Sequence, residues 1–508
     1  MIIPCRGEGK IVTIYNFNLA LGWASSGVEY AQAYREGIFK TLKLDTKFVF
    51  AELILNGNIF DMADQIGMSI NNILPVHFFF TNLKPSKSVY SIENFEKNID
   101  LEQFQKLVSP NTITYQKDHT MIRIGLDKIH NNVDFVDYVH NGYLLRKDHY
   151  TYTKTFSEYY VPVDNKAEVY RRVFYHESGQ VAYEQLIDQD KVTYRIGAVI
   201  LYSEFEFIDY FVKQLQLTDQ DVLIIDRELY IAPAVLSHKN HAKVGVVIHA
   251  EHYSSNQTDD KHIVWNNFYE YQFTNAGAVD FFVTATRKQK EVLTEQFKYY
   301  KGIEPTVYAI PVGNLEKLYG KRQKRVQNHL MTASRLAGEK HVDSIVRAIL
   351  KVHETVPSLK LDIYGTGGEM VALQTLIEDN NAGEFIKLKG HQNLTKVYMH
   401  YHGYISASQS EGFGLTLMEA VGSGLPIVGY NVPYGNQEFV DEGVNGFLAP
   451  FSKNSDKNVE SLAESIKQLI ISNEDNNFKK ASYQKAEFYL LKNTKLLWQK
   501  LLEDVIHD

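Results

Sequence analysis

Apolar and polar positions along this chain fall into three textures. Near the N-terminus Lys10–Leu19 reads as a strand, Gly22–Tyr30 as a glycine turn, and the residues to about Leu42 as a helix, with Phe48–Ile54 as a second strand. From about Leu83 to Ala198 this alternation gives way to aromatic and β-branched runs at Tyr150–Phe156, Val169–Tyr175, Val181–Leu186 and Val192–Ile196. Turn signals at Val163-Asp164-Asn165-Lys166, Glu177–Gln180 and Asp188–Lys191 separate them, which predicts an antiparallel β-meander whose Tyr-rich strands suit a protein contact. Strand-helix alternation returns with a helix from Glu204 to Leu217 and strands at Val222–Asp226, Val244–Ile248, Asp280–Thr286 and Thr306–Pro311, the last two joined by a helix from Arg287 to Tyr299.

After a polar linker at Gly320–Asn328 the pattern restarts. Strands are expected at Leu330–Ala333, before Ile363-Tyr364-Gly365, at Phe385–Gly390, at Gly403–Ala407 and at Pro426–Tyr430, with helices from His341 to about Val356, Val459 to Ile471 and Phe478 to Ile506. The fold class is therefore α/β, with two Rossmann-like units and an antiparallel block inserted in the first.

Composition narrows the class. A chain of 508 residues, 44% apolar, can form about three domains, each with its own core. A net charge of −8 argues against nonspecific nucleic-acid binding, and the single cysteine, Cys5, excludes a disulfide framework. No signal-type apolar segment opens the chain, and no run reaches about 18 apolar residues, so a cytoplasmic protein is expected, with peripheral contact to a membrane left open. The glycines at 22 and 27 do not form a dinucleotide fingerprint, and Ser26 with Glu29 makes a capping box.

Candidate chemistry gathers at Ser408–Gly424, which reads as strand end, glycine loop and helix start. Amides at such a helix start, with no Cβ at Gly412 or Gly414, can hold a phosphate or a sugar hydroxyl. Two carboxylates, Glu411 and Glu419, flank that cradle; they suit a ligand that is part sugar and part diphosphate. Arg335 and Lys340 follow the strand Leu330–Ala333 beside another helix start, where two cations complement a diphosphate and a leaving nucleoside diphosphate. His249 closes an apolar strand, at the end that faces the ligand crevice in parallel sheets, with His252 as its rival. Asp259-Asp260 sits in a polar loop and reads as solvated, so no metal site and no cofactor are expected.

The glycine loop with Glu-x7-Glu, the Ser334-Arg335-Leu336…Lys340 segment and Asn436–Leu448 together resemble the retaining GT-B glycosyltransferases. Within them, Gly22–Tyr34 and the inserted meander resemble the catalytic subunits of the peptide O-N-acetylglucosaminyltransferases that modify serine-rich-repeat adhesins of Gram-positive bacteria. That resemblance implies a GT-B fold: an N-terminal domain at 1–82 and 199–315, an inserted sheet for partner and acceptor at 83–198, a UDP-sugar domain at 316–485 and a helix at 486–508 packing back. It places Glu411, with Gly412, Phe413 and Gly414, at the transferred sugar, Glu419 at the ribose and His249 near the donor sugar. The backbone at Gly27, Val28, Glu29 and Tyr30 would face the diphosphate or the acceptor, and His391 and Gln392 the base or phosphates. Glu411, His249, Arg335 and Lys340 would carry catalysis. Implied partners are a UDP-activated N-acetylhexosamine, a serine-rich-repeat acceptor and a homologous non-catalytic subunit. A GT-B enzyme for a lipid or carbohydrate acceptor, and a non-catalytic acceptor-binding subunit, are the other readings.

Overall fold

The computed structural model describes residues 12–23, 27–472 and 477–507. Cys5, the first residues of the opening strand and the Ser26 cap lie outside the described residues.

Seven parallel strands form the first sheet, in the order Val307–Ala309, Phe281–Thr284, Lys243–Ile248, Val222–Ile225, Thr13–Asn18, Asp45–Phe50 and Ile73–Pro75. Val222–Ile225 and residues 244–248 are apolar throughout because both faces of the sheet are covered, as parallel sheets require. The helix Gly27–Leu42 covers one face together with the terminal helix Leu491–His507, where Phe39 meets Trp498 edge to face. A second parallel sheet of six strands runs Ile386–Gly390, Lys360–Tyr364, His329–Ala333, Gly403–Ser406, Ile427–Tyr430 and Gly446–Ala449. In both sheets the strand order reverses near the centre, and the C-terminal strand ends at that point form the ligand crevice of such folds.

Between Ile73–Pro75 and the helix Glu204–Gln214 the chain builds a ten-stranded antiparallel sheet, from Gln105–Ser109 through to Val199–Leu201, each strand paired with its neighbours in sequence. The turn at Asp164-Asn165 has positive φ at both residues (47° and 61°), the two-residue hairpin that Asp and Asn tolerate, and it sets Val163 opposite Lys166. The sheet extends past residue 198 to Leu201, and the helix Ile92–Lys97 packs Phe95 against its outer part.

Three sequence expectations need correction. Tyr150–Phe156 is not one strand: the strands are Tyr143–Tyr150 and Lys154–Val163, with a turn between them in which the Thr151 amide donates to the Thr153 carbonyl. The last helix is broken into Asn477–Glu487 and Leu491–His507, because Leu490 forms a bridge with Leu315: the Leu315 amide donates to the Tyr489 carbonyl (2.8 Å) and the Leu491 amide to the Leu315 carbonyl (2.9 Å), which takes both groups out of the helical ladder. Nothing local marks the break, since neither Gly nor Pro is present there. Finally, the meander's tyrosines are not all contact surface. Tyr183 and Tyr194 are fully buried in a column of rings with Phe156, Phe174, Phe207 and His77, and this column belongs to the same core as Phe17, Leu223 and Val246 of the first sheet.

Candidate active site

The glycine loop joins the strand Gly403–Ser406 to the helix Leu415–Gly422. Gly414 takes φ +89°, and a Cβ there would stand 2.6 Å from Leu417 Cδ1, so the turn into the helix needs glycine. Gly412 has a different reason. A Cβ on it would lie 2.7 Å from the His249 carbonyl oxygen, so its bareness lets the loop of the second unit meet the strand end of the first. The two units touch again where Ser410 Oγ donates to Glu251 Oε2 (3.1 Å) and where the Tyr434 ring stacks on His252, centroids 5.9 Å apart.

Glu411 is fixed at its backbone: its carbonyl accepts the amides of Tyr434 (2.9 Å) and Gly435 (2.7 Å). Its side chain meets Lys340, whose Nζ donates to Glu411 Oε2 at 2.6 Å, both groups about one-fifth exposed. Lys340 ends the short helical turn Gly338–Lys340 that opens the helix Val342–His353. Arg335 does not join this pair. Its guanidinium is two-thirds exposed and donates to Glu339 Oε1 at 2.7 Å. The loop that carries it is braced from behind: Leu336 and Thr366 pair through their backbones, and a Cβ on Gly365 or Gly367 would collide with the Ser334 or Leu336 carbonyl.

On the opposite wall His249 Nε2 lies 2.6 Å from Asp226 Oδ1, while the Arg35 guanidinium holds the other Asp226 oxygen. The backbone amide of His249 donates to the Tyr269 hydroxyl (2.9 Å). Burial alone would push the Asp226 carboxyl up, but Arg35 and His249 outweigh it and hold it below the usual carboxylate range. Asp226 is therefore an anion that fixes the ring of His249. Tyr34, Arg35, His249, Asn314 and Trp498 line one small cavity beside this pair. His252, the rival histidine, is buried with Nε2 facing Gln296 Oε1 at 2.8 Å, and burial lowers its pKa to about 4. It is a neutral packing residue at the seam between units.

Glu419 accepts from the Tyr398 hydroxyl at 2.7 Å, and burial raises its carboxyl against the effect of that bond. Tyr34, on the helix Gly27–Leu42, is pushed up to about 12 first by burial and then by the charge of Glu419, so that helix and the Glu419 helix face each other across the cleft. Gly27, Val28, Glu29 and Tyr30 form its first turn, with Gly27 and Tyr30 exposed. His391 and Gln392 are exposed beyond the strand Ile386–Gly390, and Gln392 donates to the Lys389 carbonyl. Phe413 is buried against Phe439 and Tyr489 and shapes the loop from beneath.

Sequence reasoning missed Arg35, Asp226, Tyr34 and Tyr398. Asp226 carried the signal that marked His249, a polar residue ending an apolar strand; the other three are ordinary helix or loop residues whose role depends on what lies across the cleft. Among the described residues no three His, Cys, Asp or Glu side chains gather as a metal-binding group, and no helix is long and apolar enough to cross a membrane.

Two parallel-sheet units facing one cleft, with a carboxylate-bearing glycine loop and a cation on one wall and a histidine on the other, define a GT-B glycosyltransferase. Residues 320–485 match the model of glycosyl transferases group 1, and residues 104–198 that of the GtfA extended beta-sheet domain. The chain belongs to the family of GtfA subunits of UDP-N-acetylglucosamine--peptide N-acetylglucosaminyltransferases. It is 42% identical to the subunit of that name from Streptococcus agalactiae, covering 98% of this chain and 99% of the relative, and 42% identical to that of Streptococcus pneumoniae serotype 4, covering 98% and 100%. The crystal structure of the pneumococcal O-GlcNAc transferase GtfA in complex with UDP and GlcNAc superposes with TM-score 0.93 at 42% identity, over 98% of this chain and 100% of that one. A crystal structure of a GtfA/B complex superposes at 0.91, with 42% identity over the same shares.

Proposed function

We propose that this protein transfers N-acetylglucosamine from UDP-N-acetylglucosamine to Ser or Thr hydroxyls of a serine-rich polypeptide, with retention at the anomeric carbon, as the catalytic subunit of a complex with a homologous non-catalytic partner. The relatives named above support the donor, the peptide acceptor and the pairing of subunits. The observation that carries the reading is the Lys340–Glu411 pair at the helix start, facing the fixed His249.

In this reading the acceptor oxygen bonds to the anomeric carbon on the face from which the diphosphate departs. The bond from that carbon to the phosphate oxygen breaks, and the acceptor proton passes to the departing phosphate. Lys340 and the amides at the start of the helix Leu415–Gly422 take up the developing negative charge. Arg335 reaches the diphosphate by exchanging Glu339 for it, a small loss for an exposed pair. Glu411 orients the sugar, His249 holds it from the other wall, and Glu419 accepts from the ribose. The acceptor is a serine-rich-repeat adhesin modified in the cytoplasm, at or near the membrane, before export.

The test is incubation of the protein, with its partner subunit, with a panel of UDP-sugars and a serine-rich peptide, read by intact mass. Gain of N-acetylhexosamine units by the peptide is expected. Transfer to a lipid or polyol-phosphate polymer with none to the peptide would replace this acceptor class.

A further inference from the structure

The two carboxylates of the glycine loop and its helix are balanced differently. Glu411 meets the Lys340 cation, whereas Glu419 forms no ion pair among the described residues and meets a neutral donor, the Tyr398 hydroxyl, at 2.7 Å. Tyr398 is buried and opens the short helical turn Tyr398–His400, which leads into the strand Gly403–Ser406. Its ring packs 6.1 Å from that of Tyr404, within the core that also holds Met418 and Ala420 of the Glu419 helix. The linker holds the turn from outside: a Cβ on Gly320 would stand 2.5 Å from Met399 Cβ, and the Tyr319 amide donates to the Gly422 carbonyl at the end of the same helix. Tyr398 is therefore fixed, and among the described residues its hydroxyl reaches Glu419 alone.

A single neutral donor has a chemical consequence. A guanidinium could occupy both oxygens of a carboxylate, but one hydroxyl takes Oε2 and leaves Oε1 as an acceptor, on a side chain that is partly exposed. Burial raises the Glu419 carboxyl and the Tyr398 bond opposes that rise, so the hydroxyl also favours the anion. For packing alone the pair is costly, because two apolar side chains of the same shape would fill the space without desolvating a charge. An oriented anion with one open oxygen, facing the helix Gly27–Leu42 across the cleft, suits hydroxyl donors and repels phosphate. Tyr404 differs: its hydroxyl donates to the Ala333 carbonyl at 2.8 Å and meets Thr416 Oγ1 at 2.9 Å, so it ties a strand end to a helix.

We infer that Tyr398 is a positioning residue for the nucleotide: it holds Glu419 Oε2 so that Oε1 is aimed at the ribose hydroxyls, and so makes the donor site select a ribonucleotide. This rests on the placement of Glu419 at the ribose in the function proposed above.

The experiment measures, by calorimetry on the full chain with its partner subunit, the affinity for UDP and for 2′,3′-dideoxy-UDP, which keeps base and diphosphate but lacks both hydroxyls. Wild type should prefer UDP, and Glu419→Gln should lose most of that preference. Tyr398→Phe, which removes one oxygen and no carbon, should weaken UDP binding about tenfold, as for loss of a hydrogen bond to a charged group, and leave dideoxy-UDP binding little changed. Tyr404→Phe should keep the wild-type preference, and loss of it there too overturns the assignment to Tyr398. A folded Tyr398→Phe variant with the wild-type preference overturns the inference, and so does an equal loss for both nucleotides, which would make the hydroxyl structural. Should Tyr398→Phe alone fail to fold for want of a donor to Glu419, the double variant with Glu419→Gln, which has no charge left to satisfy, decides. It should bind UDP as Glu419→Gln does, and a further loss overturns the coupling. If Glu419→Gln itself keeps the preference, the ribose role of Glu419 fails and the inference with it, on an arm that leaves Tyr398 untouched.

Discussion

Lys340 Nζ and Glu411 Oε2 are joined at 2.6 Å. In the proposed function Lys340 neutralises the leaving diphosphate and Glu411 orients the sugar, so the two groups would hold each other before either meets a ligand. Both side chains are about four-fifths buried, so the pair fixes two flexible groups in the cleft at little entropic cost on binding. Arg335 is not so held.

The difference between the two cations gives the first prediction. Lys340→Ala should reduce transfer on the order of 100-fold, within the range for losing one preorganised stabilising group. Arg335→Ala, which removes an exposed side chain bound to Glu339, should reduce it at least several-fold less. Steady-state transfer with both single variants measures this, and equal losses would show that Arg335 swings fully into the site.

Asp226→Asn should be harmful in two separable ways. It leaves the buried Arg35 cation uncompensated, a loss of about 3–5 kcal/mol for a broken buried pair. It also frees the ring of His249. Thermal unfolding reports the first and donor hydrolysis well below the melting temperature reports the second. His249→Gln should lower hydrolysis with much less effect on stability, because Asp226 keeps Arg35.

Stability should fall on mild acidification. Burial lowers the pKa of His77 to about 3 and that of His252 to about 4, each from an unfolded value near 6.5. Between those values and pH 6.5 the unfolded chain binds protons that the folded chain refuses, so lowering the pH favours unfolding. At pH 5 each histidine should remove about 2 kcal/mol relative to pH 7. Denaturant titrations at both pH values check the sign, and His77→Phe, which keeps a ring in the stack, should shrink the difference.

Deleting the inserted sheet, residues 104–198, should not leave two folded units. Removal takes Phe156, Phe174, Tyr183 and Tyr194 out of the core they share with the first parallel sheet. Truncation of one buried aromatic costs about 3–5 kcal/mol, and four together are as large as the whole of the 5–15 kcal/mol that holds most domains together. The expected product is insoluble protein without donor hydrolysis. A monomeric deletion protein that hydrolyses the donor at the wild-type rate would show the sheet to be separable.

Read by itself, the sequence determined the two parallel units, the antiparallel block between them, and the glycine loop with Glu411 and Glu419. These follow from local physics: strand and helix periods, turn residues such as Asp164-Asn165, and the glycine that the left-handed turn at Gly414 into the helix requires. Lys340 was legible because a cation beside a helix start is itself a local pattern. Tertiary structure alone decided the rest. It joined Lys340 to Glu411, backed His249 with Asp226 and Arg35, and turned Arg335 outward to Glu339. It also drew Tyr183 and Tyr194 inward, away from any partner surface, and broke the last helix at Leu490 to meet Leu315. Arg35 and Asp226 are 191 positions apart in the chain, and Lys340 and Glu411 are 71 apart. Which buried charge finds which partner is set by where strands end and loops converge, and that information is held in packing between distant segments rather than in the spacing of neighbours.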